Sequence, residues 1–222
     1  MYRTVIFDLD GTLLNTIDDL ADAGNAVCEA HGWPTYPVRQ YCTFVGNGIP
    51  KLVERFSPPE ARTPAQLAQT LQEFQTRYAA HMRDKTAPYP GMAGLLPRLH
   101  AAGVQMAVYS NKADPLAREV VADYFDASCF ALVRGAREGV AIKPDAAGTL
   151  ALLAELHADP AATLYVGDSN VDVRTAHNAG LPCCGVLWGF RTQAELVAEG
   201  AEYFAADTAE LERIIMQGPA GC

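Results

Sequence analysis

Asp8 and Asp10 stand two residues apart in Phe7-Asp8-Leu9-Asp10-Gly11-Thr12-Leu13, directly after the apolar run Val5-Ile6-Phe7. Two carboxylates this close, with a glycine that permits a tight turn, can divide two jobs. One can attack as a nucleophile while the other moves protons. Ser110-Asn111 offers a hydroxyl and an amide, and Lys143-Pro144 offers an ammonium. Gly167-Asp168-Ser169 is followed closely by Asp172. Carboxylates, a lysine, a hydroxyl and exposed main-chain amides together suit phosphoryl transfer. Asp8 and Asp168, on different strands, can share one hard cation, and Mg2+ commonly takes one or two carboxylates. Such an ion offsets the repulsion between an anionic phosphate and an anionic nucleophile. A carboxylate nucleophile forms an aspartyl-phosphate and splits one hard displacement into two easier ones. Lys143 adds positive charge beside the phosphoryl group.

Taken singly, each stretch has an ordinary reading. Asp-Leu-Asp-Gly-Thr can be a turn with two solvated carboxylates, Ser110-Asn111 a loop or cap, and Gly-Asp-Ser a capped helix start. Their joint placement at expected strand ends tips the balance toward a site. Two of the four lysines, Lys112 and Lys143, fall among them.

Positioning these residues on one edge requires a parallel sheet. Val5-Ile6-Phe7 with Leu9 reads as a buried first strand ending in a turn. Later strands are predicted over residues 105–109, 130–133, 163–166, 184–187 and, weakly, 203–205. Helices are predicted between them, over residues 92–102, 115–124, 145–157 and 173–179, with a last one over 209–216. Pro97 falls awkwardly inside the 92–102 helix and is expected to mark its first turns. Strand and helix alternating at this pace predict an α/β protein. About 95 residues separate Leu9 from Val104, far more than a crossover needs. That stretch carries helical patterns and no convincing strand. Ile17, Leu20, Ala21, Gly24, Val27 and Cys28 form the first, ended by Gly32 and Pro34. Ile49, Leu52, Val53 and Phe56 form the second. Leu67, Leu71, Phe74, Tyr78 and Met82 form the third, opened by Thr63 and Pro64. The expectation is a core of residues 1–14 and 84–222 with an inserted α-helical cap, 15–83, after strand 1. An insert leaving the end of strand 1 is expected to act as a lid over the strand-end site.

Composition narrows the function classes. The 222 residues carry 17 basic and 26 acidic groups, a net charge of −9, which argues against nucleic acid or an anionic membrane as partner. No apolar run approaches the ~20 residues of a membrane span, and the N-terminus does not read as a signal peptide. Cys28, Cys42, Cys129, Cys183, Cys184 and Cys222 form no CxxC pair and read as reduced thiols of a cytoplasmic protein. The five histidines show no HxxxH spacing, which speaks against a zinc hydrolase.

The motifs Asp8-Leu9-Asp10-Gly11-Thr12, Ser110-Asn111-Lys112, Lys143-Pro144 and Gly167-Asp168-Ser169 with Asp172 resemble the four motifs of the haloacid dehalogenase superfamily. The resemblance spans nearly the whole chain. It implies a Rossmann-like core with a helical cap and Mg2+-dependent phosphatase chemistry. By motif position it implies Asp8 as nucleophile, Asp10 as acid and base, and Thr12, Ser110, Asn111 and Lys143 as phosphate-holding residues. The Asp8 side chain, the Asp10 carbonyl and Asp168 would ligate Mg2+, and Asp172 would support the metal waters. Asn15-Thr16 with Asp18-Asp19-Leu20, Val45-Gly46-Asn47-Gly48, Tyr89-Pro90-Gly91 and Val186-Leu187-Trp188-Gly189 look like the phosphoglycolate phosphatase group. That likeness implies 2-phosphoglycolate as substrate, with Gly46, Asn47 and Gly48 in substrate selection and Lys51 or Arg55 near them. Asn15, where aspartate is common, and Arg134 and Arg137, where a Gly-Asp pair is often seen, depart from the pattern. The partner implied is a small phosphate ester, and the chain is expected to be a monomer or homodimer. A phosphosugar mutase or another sugar or nucleotide phosphatase stays open. A dehalogenase is disfavoured, because halide leaves without the proton that Asp10 supplies. A receiver-like phospho-accepting protein is opposed by the chain's length and by the order of its acidic residues.

Overall fold

A computed structural model describes residues 1–219; the reading of Cys222 as a reduced thiol therefore lies outside the described residues. In chain order the elements are β1 (Thr4–Phe7), β2 (Leu14–Asn15), α1 (Ile17–Ala30), α2 (Val38–Phe44), α3 (Ile49–Phe56), α4 (Pro64–His81) and β3 (Ala87–Pro88). There follow α5 (Met92–Ala101), β4 (Gln105–Ala113), α6 (Asp114–Tyr124), β5 (Phe130–Ala136), α7 (Ala146–Glu155) and β6 (Thr163–Gly167). The chain closes with α8 (Asn170–Asn178), β7 (Cys183–Val186), α9 (Gln193–Ala198), β8 (Tyr203–Ala205) and α10 (Thr208–Gln217). It divides into two compact units, one of Met1–Leu14 with Pro88–Cys222 and one of Asn15–Ala87.

The first unit is built on a six-stranded sheet of order β5-β4-β1-β6-β7-β8. Each pairing in it is parallel. Val5, Ile6 and Phe7 are fully buried, as a central strand covered on both faces must be. The chain steps from β1 out to β4 and β5, then returns to β6 on the other side of β1. The order of connection therefore reverses around β1, where open α/β sheets bind their ligands. One face packs Ile6, Ala107, Tyr109 and Tyr165 against Leu152 and Leu153 of α7 and Val173 and Ala176 of α8.

Three sequence expectations change here. Strand β4 does not stop at Tyr109 but runs to Ala113, with an irregular register against β5 beyond Tyr109. Ser110 and Asn111 are therefore strand residues. Pro97 does not mark the first turns of α5 but sits sixth in it, after Met92. Burial of Met92, Leu95, Leu96 and Leu99 on one face holds that helix together, while Pro97 itself is exposed. A proline inside a helix costs about 3 kcal/mol, and burying four large apolar side chains outweighs that. The helical reading of residues 115–124 gains Asp114 at its start. The Asp114 carboxylate accepts from Arg118 Nε at 2.9 Å, the Gly135 amide at 2.9 Å and Arg137 at 3.1 Å.

Partial burial works to raise the Asp114 carboxyl, but the bonds from Arg118, Gly135 and Arg137 outweigh it and hold the group down at about 2. An unfolded aspartate titrates at about 3.9. The stabilisation is thus complete above about pH 4 and is lost as pH falls toward 2. Asp114→Ala is expected to lower unfolding free energy by about 1–2 kcal/mol at pH 7, measured in urea, with the deficit against the parent shrinking below pH 4.

The second unit is helical. Its interior is an aromatic row in which Tyr41 meets Phe44 and Phe56, Phe56 meets Phe74, and Phe74 stacks on Tyr78. Thr63 caps α4 by accepting from the Gln66 amide, with Pro64 opening the helix. The unit also contains α2, which the sequence reading left without an element. It reaches Ala87, beyond residue 83, because buried Asp19 on α1 accepts from the Lys85 amide at 2.9 Å, the Thr86 amide at 2.8 Å and the Thr86 hydroxyl at 2.7 Å. The two-residue strands β2 and β3, also unforeseen, pair with each other.

Candidate active site

Turn geometry after β1 sets the first two carboxylates. The Leu13 and Leu14 amides both bond back to the Leu9 carbonyl at 3.0 Å, and the Gly11 amide to the Leu14 carbonyl at 2.8 Å. Gly11 has a φ of +93°, and a Cβ there would lie 2.4 Å from Asp168 Oδ2. Glycine is thus demanded twice, by the backbone and by the carboxylate packed on it. Gly189 is similarly constrained, since a Cβ would fall 2.2 Å from the Asp168 Cβ. The Trp188 indole N–H donates to the Thr12 carbonyl at 3.0 Å and fastens this segment to the turn.

Three buried carboxylates converge. Asp8, Asp168 and Asp172 each bring an oxygen within 4.8 Å of the others. Lys143, itself buried, donates to Asp8 Oδ1 at 2.6 Å and to Asp172 Oδ1 at 2.7 Å. Asp168 Oδ2 accepts from the Phe190 amide at 2.6 Å, and the Thr12 hydroxyl lies 3.5 Å from Asp168 Oδ1. Asp172 Oδ2 accepts from the Ser169 amide at 3.0 Å and its hydroxyl at 2.6 Å, forming a capping box at the start of α8. With Lys143 on one oxygen and Ser169 on the other, Asp172 is a holder of Lys143 more than an open ligand.

Electrostatics follow from this crowding. Burial, then the Asp172 charge, push the Asp8 carboxyl well above the usual carboxylate range, against the opposing pull of Lys143. Burial and Asp172 likewise push Asp168 up to about 7. Burial pulls the Lys143 ammonium down, but the charges of Asp172 and Asp8 more than reverse that and keep it protonated. Ionised together, the three carboxylates would exceed the Lys143 ammonium by two negative charges, which is why burial and mutual repulsion push Asp8 and Asp168 up. That excess and the all-oxygen donor set fit a divalent hard cation.

Asp10 is half-buried and receives Lys112 Nζ at 3.1 Å from Oδ1 and 3.4 Å from Oδ2. Ser110 is buried, and its hydroxyl oxygen accepts from the Lys112 amide at 3.2 Å. The Asn111 side chain clamps the Lys143 backbone from both sides, donating to its carbonyl at 3.1 Å and accepting from its amide at 2.9 Å. Sequence reading counted Lys112 but gave it no role, and gave the Asn111 side chain none either. Their motif position was the only available signal, because both contacts join residues far apart in sequence.

Asp8, Asp10, Thr12, Ser110, Asn111, Lys143, Asp168 and Asp172 all belong to the sheet unit. Gly46, Asn47 and Gly48 belong to the helical unit. There Gly46 and Gly48 take φ values of +116° and +82°, and the Asn47 side-chain oxygen accepts from Arg55 at 2.8 Å. Arg55 also donates to the Phe44 carbonyl at 2.6 Å, so it shapes its own loop. Lys51 is ion-paired with Glu54 at 2.7 Å. Arg134 and Arg137, the basic departures noted in the sequence, pair with Glu155 and Asp114.

A parallel α/β unit with an acidic, lysine-bridged cluster at its strand ends defines a hydrolase of one recognisable type. The sequence profile of the haloacid dehalogenase-like hydrolases matches residues 5–186, and the chain belongs to that family. A phosphoglycolate phosphatase of Caulobacter vibrioides (strain ATCC 19089 / CIP 103742 / CB 15) is 34% identical over 201 residues, covering 90% of this chain and 84% of its own. That of Haemophilus influenzae (strain 86-028NP) is 28% identical over 220 residues, with coverage of 96% and 98%. The crystal structure of a proposed phosphoglycolate phosphatase from Lactobacillus delbrueckii subsp. bulgaricus ATCC BAA-365 superposes with a TM-score of 0.91 at 31% identity, covering 96% of this chain and 98% of that one. Among the described residues, no helix is long and apolar enough to cross a membrane.

Proposed function

We propose that the protein is a Mg2+-dependent phosphatase that hydrolyses 2-phosphoglycolate through an aspartyl-phosphate on Asp8. The observation that carries this reading is the buried cluster of Asp8, Asp168 and Asp172 bridged by Lys143. Relatives named phosphoglycolate phosphatase support the choice of substrate. Asp8 and Asp168, with the Asp10 main-chain carbonyl, would hold the cation, and Asp172 would stand behind it. When bound, Mg2+ lessens the repulsion between the Asp8 carboxylate and the incoming phosphate dianion. The chain's own residues do the rest. Lys143 occupies Asp8 Oδ1 and leaves Oδ2 to form the new bond to phosphorus. As the ester P–O bond breaks, Asp10 gives its proton to the departing alkoxide. Asp10 then takes a proton from water, whose oxygen attacks the same phosphorus and releases the Asp8 carboxylate with inorganic phosphate. Lys112 orients Asp10 throughout. The Ser110 hydroxyl and the Asn111 main-chain amide hold phosphoryl oxygens, with Thr12, its hydroxyl turned to Asp168, behind them. The five cysteines among the described residues stand outside any disulfide, which suits a reducing, cytoplasmic setting.

The test is phosphate release from a set of small monoesters with excess Mg2+. The reading expects 2-phosphoglycolate to lead hexose phosphates and nucleoside monophosphates in kcat/KM. A hexose phosphate in first place would overturn the substrate, and no turnover of any ester would overturn the activity. Metal binding has its own readout. At 100 times Kd, Mg2+ is expected to stabilise the fold by about 2.7 kcal/mol in thermal unfolding. Asp168→Asn should remove that stabilisation, and an unchanged shift would take Asp168 out of the metal set.

A further inference from the structure

Lys143 has a neighbourhood that the hydrolase chemistry does not use. Its Nζ lies over the Tyr109 ring, 5.9 Å from the centroid, and over the Tyr165 ring, 5.8 Å from the centroid. Tyr109 is on β4 and Tyr165 on β6, the two strands that flank β1. Both side chains point to the sheet face covered by α7 and α8. Lys143 leads into α7, and Asp172 stands on α8, so the lysine stem crosses this face before its ammonium meets the carboxylates. Both rings are buried, Tyr165 completely. Tyr109 is also held in place, because a Cβ at Gly148 on α7 would lie 1.8 Å from its hydroxyl oxygen.

We propose that Tyr109 and Tyr165 are positioning residues whose ring faces form a two-sided aromatic cage for the Lys143 ammonium, fixing it between Asp8 and Asp172. Hydrogen bonds to two carboxylates aim the ammonium but leave its long, rotamer-rich stem to be ordered. A cation within about 6 Å of a ring face is attracted by the ring quadrupole, and more strongly where water is excluded. Two rings on different strands converge on one point and restrict that stem. Without them the ammonium would swing toward whichever carboxylate carried more charge at that moment. The inference rests on the phosphatase reading for its kinetic consequence, but the cage itself is independent of turnover.

The Tyr165 hydroxyl also lies close to Lys143, so paired variants separate the ring face, which the cage requires, from the hydroxyl. Tyr165→Phe is expected to keep kcat within about 2-fold of the parent. Tyr165→Leu is expected to lower kcat by about 5–30-fold with KM little changed, the range one desolvated cation–π contact supplies. Tyr109→Phe and Tyr109→Leu should divide in the same way. With lysine labelled at 13Cε, the chain gives only four side-chain signals, from Lys51, Lys85, Lys112 and Lys143. One of these should be ring-current shifted in the parent and in Tyr165→Phe, should move toward the exposed-lysine position in Tyr165→Leu, and should be absent in Lys143→Met. Equal losses in Phe and Leu variants would overturn the ring-face assignment. A parent-like Lys143 signal and rate in the Leu variants would overturn the cage. If the parent hydrolyses no phosphate ester, the phosphatase reading fails, and the lysine signal still decides the cage.

Discussion

Asp8→Asn is expected to give a folded protein that releases phosphate about 10⁴–10⁶-fold more slowly than the parent, the scale on which a covalent nucleophile is lost. The amide keeps the shape of the carboxylate but has no charged oxygen to offer phosphorus. The same change tests the electrostatics. In the parent, burial, Asp172 and Asp168 all disfavour an ionised Asp8, and Lys143 only partly compensates. A neutral amide in place of the Asp8 carboxylate relieves two like-charge contacts while leaving Lys143 its bond to Asp172, 2.7 Å long. Thermal stability in EDTA should therefore equal or exceed that of the parent, whereas the added stability from Mg2+ should shrink. An Asp8→Asn protein that turned over within tenfold of the parent would remove Asp8 as nucleophile. One that unfolded in EDTA would show that its charge is needed for the fold, contrary to the crowding described above.

The parts of this arrangement that were legible in the sequence are those fixed by local rules. Asp8 and Asp10 follow a four-residue buried strand and precede a glycine, so their place at a strand end could be read directly. Asp168 could be placed at a strand end by the same rule, directly after the apolar run 163–166, whereas the pairing of β6 with β1, Val166 opposite Phe7, is a long-range contact. Asp172 stands three positions after Ser169, the spacing of a capped helix start, and the capping box it forms there is local; its role beside Asp8 came only from the family resemblance. What could not be read depends on long-range contacts. Residues 110–113 look like a loop, and what carries β4 past Tyr109 is the pairing of Ala113 with Ala136 of β5, far away in sequence. Helix α2 has only Tyr41 and Phe44 buried, too few to show a period in the polar run Val-Arg-Gln-Tyr-Cys-Thr-Phe. Asp19 looks like a first-turn acid of α1, yet it fastens residues 85 and 86 across the unit. Pro97 shows propensity overruled by packing, because four buried neighbours set where α5 begins.

Lys143→Met is expected to be the most destabilising single change in the site and to separate stability from rate. Methionine fills much of the same volume and keeps an apolar stem against Tyr109 and Tyr165, so packing loss is small. What disappears is the one cation bonded to both Asp8 and Asp172. Removing one partner of a buried ion pair costs about 3–5 kcal/mol, because the remaining charges stay desolvated and unpaired. The variant's carboxyls would be held still further above their unfolded values than Asp8 and Asp168 already are. A carboxyl whose folded value is raised binds its proton more tightly folded than unfolded, so it destabilises the fold at high pH and ceases to do so as pH falls through the folded value. The deficit against the parent in urea should therefore be largest near pH 8 and should shrink toward pH 5. A divalent cation supplies the missing charge and should restore much of the stability. It should not restore the rate, because no ammonium then holds Asp8 Oδ1 or faces the transferring phosphoryl group, and kcat should stay about 10²–10³-fold down. Recovery of both stability and rate on adding Mg2+ would mean that Lys143 is only a counter-ion. A pH-independent deficit would mean that the loss comes from packing and not from the uncompensated carboxylates.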